Sequence, residues 1–326
     1  MTVASTTPHL AGGVAAELSA VLGRTGLTAR LVRLSAGASR ETYRVRAAAG
    51  EWSGTFVLQR ERRGSGLGGT GVCEQVRLLR ESAAAGVPVP TVLAWDTGGE
   101  RLGAPFVLSE FVAGETVPRR ILRAPELAAA RAGFAGQCGR ILARLHAIPT
   151  GGLSWLDSVD QLDRVVAWID GSGEPHPAFE LAIDWLRAHR PPEVAKVLVH
   201  GDFRAGNLIV GPDGIRAVLD WELAHLGDPA EDLAWLCLKA WRFRGPGVVG
   251  GMGEPADLLD AYAREGGRCV EPARLFWWQV LGTLKWGAIC QRQARVHLGG
   301  ESRSVELAAI GRRVCETEYD LLRMLP

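Results

Sequence analysis

Lysine is nearly absent from this chain: of its 37 basic residues three are lysines, and the first of them is Lys196. Any strand or loop before that point that needs a fixed cation must take it from arginine. Closely spaced cysteines are missing as well. Cys73, Cys138, Cys237, Cys269, Cys290 and Cys315 form no Cys-x-x-Cys pair, which argues against a zinc site or a disulfide framework and for buried apolar thiols in a reducing compartment. No apolar run approaches the roughly 20 residues of a bilayer span. No Lys or Arg precedes Arg24, so a soluble, unprocessed, cytoplasmic protein with no membrane partner is expected. A net charge of +1 leaves no general footprint for nucleic acid.

What the chain does contain is a dense polar segment over 198–222. It holds His200-Gly201-Asp202, then Asn207 five positions after that Asp, then Asp220 at the end of the next apolar run. Pro212-Asp213-Gly214 separates the apolar runs 207–210 and 215–219 as a tight turn does, so a hairpin brings Asn207 and Asp220 to the same end. Phosphoryl transfer asks for little covalent chemistry from a protein. It asks for a group that orients a hydroxyl nucleophile and for hard oxygen ligands to the ions that neutralise phosphate. Asp202 is placed for the first task, and Asn207 and Asp220 offer the oxygens that Mg²⁺ prefers.

His200-Gly201-Asp202-Phe203-Arg204-Ala205-Gly206-Asn207 has the spacing of the protein-kinase catalytic loop, and Asp220-Trp221-Glu222 stands where that fold carries Asp-Phe-Gly. With Gly after the His and Trp-Glu after the Asp, the segment resembles the aminoglycoside phosphotransferase family. It is most similar to the branch that includes the kinase-like N-terminal domains of certain acyl-CoA dehydrogenases. The continuation from Ala224 through Asp228, Asp232 and Trp235 strengthens the likeness. The resemblance implies an α+β, bilobal protein-kinase-like fold with a β-rich N-lobe and a mainly helical C-lobe, ATP as phosphoryl donor and Mg²⁺ as cofactor. A length of 326 residues also exceeds the usual single domain and leaves room for two cores.

Short alternating runs at 30–35, 41–46, 55–60, 91–95 and 106–111 read as strands, with a helix near 72–84. Beyond Pro125 the period becomes 3.6, first in a long helix marked by Leu127, Phe134, Cys138, Ile141 and Leu145. Further helices are expected near 177–189, 229–242, 255–265, 272–296 and 301–324. The expected division is an N-lobe over 1–113 that binds nucleotide and a C-lobe over 114–326 that carries the catalytic loop, the metal site and the acceptor-binding helices.

The resemblance also implies a nucleotide site. Gly37-Ala38-Ser39-Arg40-Glu41-Thr42 stands where kinase-like folds cover the phosphates, with Ser39 as the candidate contact; a loop with one Gly equally suits an ordinary hairpin turn. The strand lysine of that fold falls on Gln59 or Arg60. Arg60 is preferred because a guanidinium binds phosphate bidentately, although the general scarcity of lysine would also put an arginine there. Its expected partner is Glu74, whose alternative is a solvated helix position. Glu110 and Val112 correspond to the hinge, where backbone groups bond an adenine edge and leave ATP against GTP open.

His146 reads as a packing or capping residue, His200 as a brace of its loop, Asp228 and Asp232 as caps of a helix start, and Trp277, Trp278 and Trp286 as helical core. For the acceptor, polycationic aminoglycosides call for an acidic cleft. Residues 285–313 instead hold Lys285, Arg292, Arg295, Arg303, Arg312 and Arg313 against Glu301 and Glu306. If this stretch borders the acceptor, Arg292 and Arg295 favour a non-cationic molecule such as a hydroxyacyl-CoA; otherwise it is a solvated helix face. The expected function is transfer of the γ-phosphate of ATP to a hydroxyl of a small molecule. The alternatives are an aminoglycoside or macrolide kinase, and a pseudokinase or regulatory binding protein without turnover. Oligomeric state is left open.

Overall fold

A computed structural model describes residues 8–36, 40–61, 71–300 and 304–325. Two compact units emerge: Met1–Glu115 with Asn207–Gly211 and Ile215–Leu223, and Thr116–Gly206 with Pro212–Gly214 and Ala224–Pro326.

The first unit is built on a five-stranded antiparallel sheet. Helix α1 (Pro8–Leu22) precedes β1 (Thr28–Ala36), β2 (Arg40–Ala49) and β3 (Trp52–Glu61), and α2 (Val72–Ala84) leads to β4 (Val92–Asp96) and β5 (Phe106–Glu110), in the order β1-β2-β3-β5-β4. Side chains alternate across a strand, so the two faces of the sheet bury different partners. Leu58 pairs with Leu108, and both lie in one core with Leu10, Val14 and Leu18 of α1. One residue on, Gln59 pairs with Val107, which packs with Val72 and Val76 of α2 instead. Helix α1 is absent from the sequence-based expectation, since Gly12-Gly13 interrupts its apolar spacing.

The second unit is mainly helical. It runs through α3 (Pro118–Ile121), α4 (Ala128–Ala132), α5 (Phe134–His146), α6 (Gln161–Asp170) and α7 (Pro177–Ala188) to the short strand β6 (Val197–Val199). Next along the chain is the expected hairpin, β7 (Leu208–Gly211) and β8 (Gly214–Val218), whose strands belong to the first unit apart from Gly214. Then come β9 (His225–Gly227), paired with β6, and the helices α8 (Ala230–Cys237), α9 (Pro255–Arg264), α10 (Pro272–Leu298), α11 (Val305–Gly311) and α12 (Val314–Met324). The single helix expected after Pro125 is broken at Gly133, which is at once the C-cap of α4 and the N-cap of α5. Helix α6 was not expected, yet its Asp160 cap accepts from the backbone N–H groups of Leu162 and Asp163 in the usual way.

Close packing fixes the second unit. A Cβ on Gly139 of α5 would lie 2.3 Å from the Leu258 carbonyl oxygen of α9, so only glycine allows that approach. Cys138, Cys237 and Cys290 are buried, and burial pushes the thiols of Cys237 and Cys290 up to about 12. Cys73, Cys269 and Cys315 are exposed, so the expectation of buried thiols holds for only half of them. Among the described residues no helix is long and apolar enough to cross a membrane.

Candidate active site

Strand β6 delivers the catalytic-loop motif, and the backbone after it is pinned by one carboxylate. Asp232 of α8 accepts the N–H of His200 through Oδ2 at 2.8 Å and that of Gly201 through Oδ1 at 3.0 Å. Gly201 has φ +79°, a left-handed conformation that glycine adopts without strain. The imidazole of His200 is fully buried and its Nδ1 accepts the N–H of Asp202 at 3.2 Å, while Phe203 anchors the loop in the core. Asp232 is itself buried and lies 3.3 Å from His146 Nε2, whose ring bonds the Tyr262 hydroxyl at 2.9 Å. Burial and the charge of Asp232 hold the Tyr262 phenol far above its ordinary range.

Asp232 therefore does not cap a helix start as expected. That task falls to Asp228, which accepts the N–H of Ala230 at 2.9 Å. The carboxylate of Asp232 is drawn instead to two loop N–H groups that have no strand or helix partner, the more costly vacancy to leave unfilled in a core.

The side chain of Asp202 is held from two sides. Its Oδ1 accepts from Arg204 Nε at 2.9 Å and from Trp235 Nε1 at 2.9 Å. Arg204 in turn lies over the Trp241 ring, 4.9 Å from its centroid. At 14% side-chain exposure Asp202 is shielded yet reachable.

Beneath this loop lies a buried ionic cluster. Lys285 of α10 bonds Glu231 of α8 at 2.9 Å and Gln161 at 3.3 Å, and Glu231 also bonds His225 Nε2 at 2.9 Å. Burial alone would raise the Glu231 carboxyl, but the charges and hydrogen bonds of Lys285 and His225 bring it down to about 2. Lys285 is thus withdrawn from the basic stretch in which the sequence placed it. Arg313 bonds Glu316 at 3.1 Å, and Arg295 bonds the Gly171 carbonyl at 3.0 Å. Arg292 and Arg295 are exposed, and Arg303 lies outside the described residues.

In the first unit, the hairpin does bring the metal candidates to one end. The Asn207 carbonyl accepts the N–H of Leu219, the residue before Asp220, at 2.8 Å. Asn207 is buried, and Asp220 has φ +66°, a left-handed conformation sparsely used outside glycine and one that functional segments retain. Among the described residues no three His, Cys, Asp or Glu side chains gather as metal ligands. One amide and one carboxylate suit Mg²⁺ nevertheless, because phosphate oxygens and water complete its shell.

The nucleotide candidates of the same unit are arranged differently from expectation. Ser39 lies outside the described residues. Gln59, not Arg60, turns to α2: its Oε1 accepts from Gln75 at 2.8 Å, and Gln75 Oε1 accepts from Arg40 at 2.6 Å. One step in register puts Arg60 on the opposite face of β3, with its Nε buried and without a partner. Among the described residues Arg60 and Glu74 form no ion pair; Glu74 sits in the first turn of α2, where a carboxylate is favoured by the helix dipole. At the hinge, the N–H of Glu110 donates to Thr91 and that of Phe111 to Thr55, whereas the N–H of Val112 makes no backbone hydrogen bond among the described residues.

The residues missed from sequence are Trp235, Arg204 and the true role of Asp232. Asp232 and Trp235 stand three apart on one helix, the spacing at which two side chains can serve one neighbouring loop.

The model of the phosphotransferase enzyme family matches residues 30–276. Acyl-CoA dehydrogenase family member 10 of Mus musculus is 35% identical over 220 residues, which is 64% of this chain but 20% of that protein. The chain therefore spans about a fifth of that relative. Among solved structures, a Ralstonia eutropha protein assigned to the aminoglycoside phosphotransferases matches with a TM-score of 0.75 at 22% identity, over 96% of this chain and 97% of the other. A thermostable mutant of aminoglycoside phosphotransferase APH(4)-Ia, in ternary complex with AMP-PNP and hygromycin B, matches with a TM-score of 0.62 at 18% identity, over 96% and 98%. The fold is thus protein-kinase-like, with a β-rich first part and a helical second part.

Proposed function

The chain belongs to the phosphotransferase enzyme family, and from that premise we propose that it transfers the γ-phosphate of ATP to the hydroxyl of a small-molecule acceptor. The observation that carries this reading is the double restraint on Asp202 by Trp235 and Arg204, in a loop whose backbone Asp232 fixes. A carboxylate locked in one orientation can align a hydroxyl and take its proton at no further entropic cost. The acceptor oxygen attacks the γ-phosphorus, the bond from that phosphorus to the bridging oxygen breaks, and ADP leaves with the electron pair. The hydroxyl proton passes to Asp202 and from there to solvent.

Asn207 and Asp220 would hold Mg²⁺, which when bound neutralises charge on the phosphate oxygens. On the nucleotide side, within 1–113, the reading keeps Ser39, Arg60 and Glu74 for the phosphates and Glu110 and Val112 for the base. The backbone N–H of Val112 suits an adenine edge. The AMP-PNP and hygromycin B bound by APH(4)-Ia support an adenine nucleotide as donor and a small molecule as acceptor. Residues 114–326 would supply the base and the acceptor-binding helices. The neutral Gln59–Gln75 pair favours one other reading, a nucleotide-binding pseudokinase.

The test is transfer from radiolabelled ATP, with and without Mg²⁺, to a panel of hydroxyacyl-CoAs, aminoglycosides, macrolides and amino alcohols. Asp202→Ala should lower kcat roughly 10²-fold or more with little change in ATP affinity. Mg²⁺-dependent ATP binding with no labelled acceptor would decide for the pseudokinase.

A further inference from the structure

Resting on the phosphotransferase reading, we propose that a cavity within the second unit is the acceptor site, and that it takes an organic anion with an apolar body, a hydroxylated carboxylic acid in the simplest case. The cavity measures ≈ 360 Å³ and lies among α10, α12 and the segment that follows α8. That volume is in the range of small-molecule sites. Its walls include Leu238, Phe276, Trp286, Tyr319 and Met324, an apolar and aromatic surface that grips a chain or ring.

The polar groups of this cavity are lopsided. Lys239, Arg242 and Arg323 contribute three cations, and Asp320 is the one acidic side chain in the lining. Its carboxylate is already bonded to Lys239. Trp286 Nε1 and Arg242 Nε are buried without a hydrogen-bond partner, and so is Nε1 of Trp241, whose ring centroid lies 4.7 Å from that of Trp286. With Asp320 spent on Lys239, Arg242 and Arg323 are in excess of carboxylate, which favours an occupant that brings acceptor oxygens. A polycation would meet a lining with two cations in excess of carboxylate instead.

Two chains of neighbours link the cavity to the proposed base, which is not itself in the lining. Trp235, which bonds Asp202, is followed two residues later by Cys237, a lining residue. A second path runs from Asp202 to Arg204, from Arg204 onto the Trp241 ring, and from Trp241 to Trp286 in the cavity wall. Arg295, in contrast, is nine residues beyond Trp286 on α10, about 13 Å along the axis. The preference for an anion therefore passes from Arg292 and Arg295 to Arg242, Arg323 and Lys239.

Binding can be measured without turnover. Octanoate titrated into the full chain, followed by calorimetry and by tryptophan fluorescence, should bind, while octylamine should not. Arg323→Glu, at an exposed position, should weaken octanoate at least tenfold, and Trp286→Ala should do the same by opening the wall. In transfer assays ω-hydroxyoctanoate should be phosphorylated, with octanoate competitive against it and not against ATP. Equal binding of octylamine, or octanoate affinity unchanged in both variants, overturns the proposal. So does the absence of octanoate binding in a protein that phosphorylates some other hydroxyl. Octanoate binding with the expected variant effects, but phosphorylation only of acceptors other than hydroxylated acids, overturns the assignment of the cavity as acceptor site; phosphorylation of no acceptor at all overturns the phosphotransferase reading and leaves the cavity an anion site.

Discussion

Replacing Lys285 by methionine removes one charge from a buried pair and strands the other. The Lys285 and Glu231 side chains are 6% and 5% exposed and 2.9 Å apart. The Glu231 carboxyl is at about 2 in the folded chain against an ordinary 4.5. A folded value below the unfolded one means stability that is present above about pH 4.5 and lost as pH falls towards about 2. At about 1.4 kcal/mol per unit, that difference is worth about 3 kcal/mol at neutral pH, shared between Lys285 and His225. Breaking a buried pair from one side costs about 3–5 kcal/mol, which agrees. At about 2–4 °C per kcal/mol, Lys285→Met should lower Tm by at least about 6–12 °C at pH 7. The gap to wild type should shrink between pH 4.5 and 2. Adding Glu231→Gln should recover most of the loss. Thermal melts followed by tryptophan fluorescence across that pH range provide the assay. A variant within about 1 kcal/mol of wild type at pH 7, or one with an unchanged acid limb, would refute the reasoning.

Asp220→Ala and Asn207→Ala should each weaken Mg²⁺-dependent nucleotide binding, Asp220 more because it carries the charge; the same Mg²⁺ dependence in Asp220→Ala would sink the metal assignment. Trp235→Phe keeps the ring and deletes one hydrogen bond to a charged group, worth about 1.5–3 kcal/mol, so kcat should fall about tenfold to a hundredfold with KM for ATP unchanged. A change confined to KM would remove Trp235 from the positioning of Asp202. Arg60→Ala should raise KM for ATP; if Gln59→Ala does so instead, the phosphates lie on the α2 face of β3.

The candidate catalytic segment was legible because its pattern is local. Spacing from His200 to Asn207 and the Pro-Asp-Gly turn need no distant residue to be read. On strand β3 one step in register decides the face, since Gln59 turns to α2 and Arg60 to the opposite side, and sequence alone does not say which face the phosphates take. The basic stretch divides for a tertiary reason. Lys285 and Arg292 are seven apart and share one stripe of α10, but buried positions along that helix end at Gln291, so one residue is covered and the other bare. Asp232 accepts from residues 31 and 32 positions away, and no local pattern announces such a bond.

Three side chains within five residues of α8 join these features. Glu231 reaches Lys285 on α10, Asp232 holds the backbone of His200 and Gly201, and Trp235 holds the carboxylate of Asp202. Lys285 also stands 5.5 Å from the Trp235 ring centroid, so helices α8 and α10 meet at the residue that bonds Asp202, the proposed base. The residue after Lys285 is Trp286, a wall of the cavity. If the cavity holds the acceptor as proposed, an occupant pressing on Trp286 would act on the same α8–α10 contact whose Trp235 bonds Asp202. On that proposal, binding energy from the non-reacting part of an acceptor would have a route to the reacting centre, and interactions spent that way would raise kcat where uniform binding would only lower KM. Such a route needs a stiff contact, and a buried ion pair flanked by tryptophans supplies one because neither charge can leave its partner without paying desolvation.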